Sequence, residues 1–126
     1  MDLTPVILEG RHVRLEPLSP AHVDGLSAVG FDESLWRWNP RPPLRTRGDM
    51  QRYVESALAA RDAGLALPFA TVERKTGQPI GSTRFHGPDH ENRHVEIGYT
   101  WLAPAWQRTA VNSEAKLLML QHAFET

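Results

Sequence analysis

The chain has 126 residues, 40% of them hydrophobic and 23% charged, which suits one globular domain and leaves little room for a second. Lys and Arg number 14 against 15 Asp and Glu, a formal net charge of -1, so no basic excess exists to drive binding to nucleic acid or an anionic membrane. The absence of cysteine excludes disulfides, thiolate metal sites and a Cys nucleophile, and it suits a reducing, cytoplasmic setting. No apolar run nears the roughly 18 residues of a membrane span, and the N-terminus, with Asp2, Glu9 and Arg11, has no signal-peptide pattern.

In chain order, Val6-Ile7-Leu8 and His12-Val13-Arg14-Leu15 predict two short strands joined by a tight turn at Glu9-Gly10-Arg11. Ser19-Pro20 opens a short helix, because Ser caps free N–H groups and Pro lacks the one it would leave unpaired. Val23, Leu26 and Val29 give it an apolar side and Gly30 ends it. Residues 31–48, with Trp36, Trp38, Pro40, Pro42 and Pro43, have neither period and form a long loop of the kind that usually carries function. After Asp49 a clear helix begins: Met50, Tyr53, Val54, Ala57 and Leu58 share one face, and Gly64 closes it. Residues 67–73 and 80–85 form a hairpin about the turn Lys75-Thr76-Gly77-Gln78-Pro79, and Gly87-Pro88-Asp89 breaks the second strand. Residues 94–102 form a longer strand that Pro104 ends, and Asn112-Ser113-Glu114 starts the last helix. The order is strand, two helices, three antiparallel strands and a helix, an α+β layout.

The last helix is apolar over more than half its circumference. At about 100° per residue, Leu117, Leu120 and Phe124 cluster on one side and Ala115, Met119 and Ala123 about a third of a turn away. Such a helix expects cover on more than one side. The expectation is therefore a chain that holds the N-terminal portion of a larger domain, or one that a second chain completes.

The chemistry lies in residues 95–115, a strand running through a short loop into a helix N-terminus. Free N–H groups at a helix start, at the positive end of the dipole, suit an anion such as a pyrophosphate, and Arg108 adds a cation beside them. Most strand–loop–helix junctions bind nothing, so this physics alone leaves the ligand open.

Three stretches carry a resemblance: Leu8-Glu9-Gly10-Arg11-His12-Val13-Arg14-Leu15-Glu16-Pro17-Leu18, the hairpin end Gly77-Gln78-Pro79-Ile80-Gly81, and Val95-Glu96-Ile97-Gly98-Tyr99 leading to Ser113-Glu114-Ala115. Together they span nearly the whole chain, which resembles the GNAT N-acetyltransferase superfamily in its branch similar to the ribosomal-protein N-terminal acetyltransferases. The resemblance implies a mostly antiparallel sheet flanked by helices, with the C-terminal strands and helix of that fold missing. It implies acetyl-CoA as cosubstrate, no metal, and a primary amine as acceptor, either a protein N-terminus or a small amine.

Of the family's acetyl-CoA signature, Gln/Arg-x-x-Gly-x-Gly/Ala, the chain keeps Gln107, while Ala110 and Asn112 stand at the small-residue positions. The resemblance places acetyl-CoA along Tyr99, Thr100, Trp101 and Leu102, its pantetheine arm paired with the backbone of Trp101 and Leu102. The pyrophosphate then meets N–H groups between Arg108 and Ser113, across Thr109, Ala110, Val111 and Asn112. Glu96 matches the carboxylate that takes the amine proton, and a backbone N–H near Tyr99 or Thr100 matches the oxyanion donor. The family's general acid comes from a later helix, so no residue here is assigned to that role. Trp36, Trp38 and Arg41 match the acceptor-binding loop.

Each of these residues also has a plainer reading. Glu96 can be a strand-face partner of Arg84 or Arg93, and the two tryptophans can pin a long loop to the core. His86, His90 and His94, with Asp89 and Glu91, read as a solvated loop rather than a metal cluster, because Gly87-Pro88 places them outside a helix. Trp36-Arg37-Trp38-Asn39-Pro40-Arg41 mixes aromatic and basic residues as single-strand nucleic-acid binders do, but the chain lacks the positive charge. The leading expectation is an N-acetyltransferase. The alternative is a truncated or degenerate, non-catalytic domain for CoA binding or assembly, and a third is a homodimer in which two chains cover each other's helix and sheet edge.

Overall fold

The computed structural model describes residues 3–31, 44–89, 91, 94–107 and 109–125. A short strand β1 (Leu8–Glu9) turns into β2 (Val13–Pro17), and a 3-10 turn at Pro20–His22 leads into α1 (Val23–Val29). Then come α2 (Arg47–Asp62), β3 (Ala66–Glu73), β4 (Pro79–Asp89), β5 (His94–Leu102), a second 3-10 turn at Pro104–Trp106, and α3 (Ala110–Glu125). The five strands form one sheet in the order β1-β2-β3-β4-β5, and every neighbouring pair is antiparallel. The α+β layout read from the residues is the one the chain adopts.

Local chemistry moves some boundaries. The second helix begins at Arg47 rather than after Asp49, because Thr46 is its cap: Thr46 Oγ1 accepts from the Asp49 N–H at 3.1 Å, and Asp49 Oδ2 accepts from the Thr46 N–H at 3.1 Å. Gly87-Pro88-Asp89 does not break β4. Gly87 takes φ +60, the pairing with β5 shifts register between His86 and Asp89, and the strand continues to Asp89. A glycine at positive φ absorbs such an irregularity without ending the strand. The last helix starts at Ala110, two residues before Asn112, because Thr109 stands where a cap belongs and its Oγ1 accepts the Val111 N–H at 3.3 Å. Of the loop expected over 31–48, residues 32–43 lie outside the described residues.

The sheet is covered on both faces. On one, Leu18, Val23 and Leu26 with Met50, Tyr53, Val54 and Ala57 of α2 pack against Ala70, Val72 and Trp101. On the other, Val111, Ala115 and Met119 of α3 pack against Val13, Leu15, Phe69, Ile80, Phe85 and Leu102. Central β3 feeds both cores and is therefore buried from Ala66 to Val72. Of the two apolar sides of the last helix, the one through Ala115 and Met119 meets the sheet, while Leu117, Leu120 and Phe124 are exposed.

Glu114 ties α3 to the first hairpin. Its Oε1 accepts the backbone N–H groups of His12 at 2.7 Å and Val13 at 2.8 Å. Burial pushes this carboxyl up, but the N–H groups of His12, Val13 and Arg11 together outweigh it and hold it below the ordinary range. A folded-state value below the unfolded one stabilises the chain above the unfolded value, and that stability is lost as pH falls through the folded value. Glu114→Ala should therefore cost about 1–3 kcal/mol near neutral pH, since two donors lose their acceptor, and the cost should shrink in acid. Urea unfolding across the carboxylate pH range checks this; a variant as stable as the parent at neutral pH would show that water replaces the carboxylate.

Candidate active site

Strand β5 pairs with β4 along one edge, with Phe85 opposite Ile97, Arg84 opposite Gly98, and Ser82 opposite Trp101. Between the last two pairs, Thr83 alone faces both Tyr99 and Thr100, so β5 carries one extra residue there. Such a bulge rotates peptide groups out of the ladder and changes which face the next side chains take. Before it, Ile97 packs with the α3-side core. After it, Trp101 enters the α1–α2 core and Leu102 the α3-side core. Without the extra residue Trp101 would lie on the same face as Ile97. Thr100 Oγ1 lies 2.8 Å from Thr83 Oγ1, which marks the bulge on the α3 side.

Glu96 stands three residues ahead of the bulge, opposite His86 on β4. Its side chain is 57% exposed, and its Oε2 lies 3.6 Å from His86 Nε2. Of the two arginines proposed as its partner, Arg84 sets its guanidinium 5.8 Å from the Tyr53 ring centroid, and Arg93 lies outside the described residues. The Glu96 carboxylate thus stands at the surface of the sheet beside His86.

The strand then leads into the loop and α3. The Ala103 N–H donates to the Ile80 carbonyl at 2.8 Å, so antiparallel alternation turns Leu102's peptide groups to the opposite edge. There the Leu102 carbonyl accepts from Gln107 Nε2 at 2.9 Å, which spends the Gln107 amide on holding the loop and leaves one lone pair of the carbonyl for a ligand. Trp106 Nε1 donates to Glu73 Oε2 at 2.6 Å and anchors the loop to the end of β3. That bond, followed by one from Thr76, holds the Glu73 carboxyl below its usual range. Thr109 Oγ1 donates to the Trp106 carbonyl at 2.6 Å. Ala110 is the first residue of α3 and is exposed, so a methyl replaces the signature glycine without a left-handed backbone to strain.

At this helix start lies a cleft of about 600 Å³, lined by Thr109, Ala110 and Val111 on one side and, from two hairpin ends, by the cations Arg11, Arg74 and Lys75 together with His12 and the Glu73 carboxylate, which Trp106 holds. Cations facing the N-terminal turn of a helix suit phosphate. The sequence pattern led to the helix start but not to Arg11, Arg74 or Lys75; the only signal was Arg11 within the opening motif, and its meaning depends on where the first hairpin packs. His86, which the sequence pattern assigns to a solvated loop, lies within β4 opposite Glu96. Trp36, Trp38, Arg41 and Arg108 lie outside the described residues. Among the described residues, no group of three or more His, Asp or Glu is placed to hold a metal ion, and no helix is long and apolar enough to cross a membrane.

The architecture is that of the N-acetyltransferases. The chain superposes over 98% of its length on 56% of a GCN5-related N-acetyltransferase from Brucella melitensis, with a TM-score of 0.87 and 29% identity. A protein from T. thermophilus assigned to the acetyltransferases is similar over 100% of this chain and 64% of its own, with a TM-score of 0.84 and 31% identity. RimL, a ribosomal L7/L12 alpha-N-protein acetyltransferase solved with coenzyme A, matches 93% of this chain and 67% of its own, with a TM-score of 0.76; at 16% identity the likeness is one of fold. The chain thus spans 56% and 64% of the length of the first two. No curated protein shows significant sequence similarity to it. The profile of the Acetyltransferase (GNAT) domain family matches residues 12–126, and the chain belongs to that family.

Proposed function

We propose that this domain transfers the acetyl group of acetyl-CoA to a primary amine, a protein N-terminus or a small amine, by direct attack in a ternary complex. One observation carries the reading: a single strand–loop–helix unit sets an exposed carboxylate, a backbone bulge and a cation-lined helix start in sequence, at Glu96, Tyr99–Thr100 and Ala110.

The residues present fit the ligand. Its phosphates match the cleft of Arg11, Arg74 and Lys75 against the start of α3, in the stretch from Thr109 through Asn112 to Ser113. Its pantetheine arm is suited to the edge of β5 at Trp101 and Leu102, as an added strand would be. Bound acetyl-CoA supplies a thioester carbonyl for the amine to attack. Glu96 takes the proton that an ammonium must lose before it can attack. The bulge frees an N–H at Tyr99 or Thr100 to face the oxygen on which negative charge develops.

Calorimetric titration with acetyl-CoA, with AMP as control, tests this. Micromolar affinity for the CoA species alone is the expected result; no binding would overturn the ligand assignment. The exposed side of α3 at Leu117, Leu120 and Phe124 favours one further reading, pairing with a second copy of the chain for assembly. Sedimentation equilibrium at high concentration decides it, and a monomer there removes it.

A further inference from the structure

His86 and Glu96 face each other across the β4–β5 ladder, with Nε2 3.6 Å from Oε2. Gly98 is the next residue on that face of β5, and a Cβ built on it would come within 2.5 Å of His86 Nε2. The imidazole therefore occupies the space that a side chain at 98 would fill, beside the carboxylate and just ahead of the bulge. A pair this exposed contributes little to stability. Its consequence lies in proton chemistry.

Resting on the reading of Glu96 given above, we propose that His86 is the proton relay of the acetyl transfer. The acceptor arrives as an ammonium. Its N–H bond breaks as the proton passes to the Glu96 carboxylate, and the new O–H bond breaks as the proton reaches Nε2 of neutral His86. The amine is then free to attack, the carboxylate is again an anion, and it lies beside the imidazolium that it stabilises. Solvent removes the proton from the ring, whose side chain is 26% exposed. A carboxylate alone is a weak base for an ammonium, and the imidazole beside it gives the proton a second acceptor. Catalytic hydrogen bonds that are long without substrate tighten in the complex, so 3.6 Å is within the reach of such a relay. Among the described residues around the pair, Ala66 lies opposite His86 on β3 and carries no charge. Arg84, on the same face of β4, lies over Tyr53 of α2.

The test is acetyl transfer to a short peptide with a free N-terminus, followed by thiol release across pH. His86→Gln should lower kcat roughly 10- to 100-fold, leave KM for the peptide within about twofold, and change the shape of the kcat–pH profile. Added to Glu96→Gln, it should cost little more than Glu96→Gln alone, because both act on one proton. Unchanged acetyl-CoA affinity by calorimetry shows that the variant is folded, and Gly98→Ala, which crowds the ring, should give the same kinetic signature. Full activity and an unaltered pH profile in His86→Gln, with Glu96→Gln impaired, would overturn the relay alone. Full activity in Glu96→Gln would overturn both the relay and the base role of Glu96 while leaving acetyl transfer standing; no thiol release by the parent chain would overturn the proposed function together with them.

Discussion

Glu96→Gln should slow acetyl transfer by roughly 100-fold while leaving acetyl-CoA affinity within about twofold. The substitution keeps the size and hydrogen-bonding reach of the side chain but removes the site that accepts a proton. Glu96 is 57% exposed and its Oε2 lies 3.6 Å from His86 Nε2, so its charge is not embedded in a core. The cleft proposed for the phosphates is lined instead by residues of the hairpin ends and the start of α3, so ligand binding should persist. Single-turnover thiol release and calorimetry on the same variant separate the two quantities. Parallel loss of rate and affinity would show that Glu96 supports the strand rather than the chemistry.

The largest structural effect is expected at Gly81. It pairs with Leu102 near the end of β5, and a Cβ built on it would run into the Trp101 carbonyl oxygen and come within 3.0 Å of Leu102 Cα. These are backbone atoms and cannot rotate away, so Gly81→Ala must push β5 off β4 just beyond the bulge. Overpacking of this kind should cost about 3 kcal/mol, read as a lower urea midpoint. It should also weaken acetyl-CoA binding, because the displaced strand carries Trp101 and Leu102. Gly77→Ala is the control: φ is +73 but the space around it is open, so strain alone should cost about 1 kcal/mol. Equal destabilisation by the two would mean that β5 yields without cost.

Several features were legible because they depend on neighbours a few residues away. The apolar face of Met50, Tyr53, Val54, Ala57 and Leu58 follows from helical spacing; the first four are buried in α2, and Leu58 packs half-buried against the same core. The β3–β4 hairpin follows from two strand-like runs about a Gly-Pro turn, and Gly77 takes φ +73 there. The anion-suited helix start followed from the junction after β5, although Thr109 rather than Asn112 sets its first turn. In the last helix, periodicity found two apolar sides but could not say which one meets the sheet; contact with Val13, Leu15 and Phe85 selects the one through Ala115 and Met119.

The length, the charge balance, the helix periods and the motif around Glu96 were thus determined by the sequence itself. Only the tertiary structure decided the bulge at Tyr99–Thr100, the partner of Glu96, and the cleft that gathers Arg11, Arg74 and Lys75. Spacing and capping act over one or two turns of chain and can be read from a few residues. Strand register depends on where a distant partner settles, and a slip of one residue exchanges the faces. His86 and Glu96 meet only because β4 and β5 take one register among several, and that choice is made by both cores together.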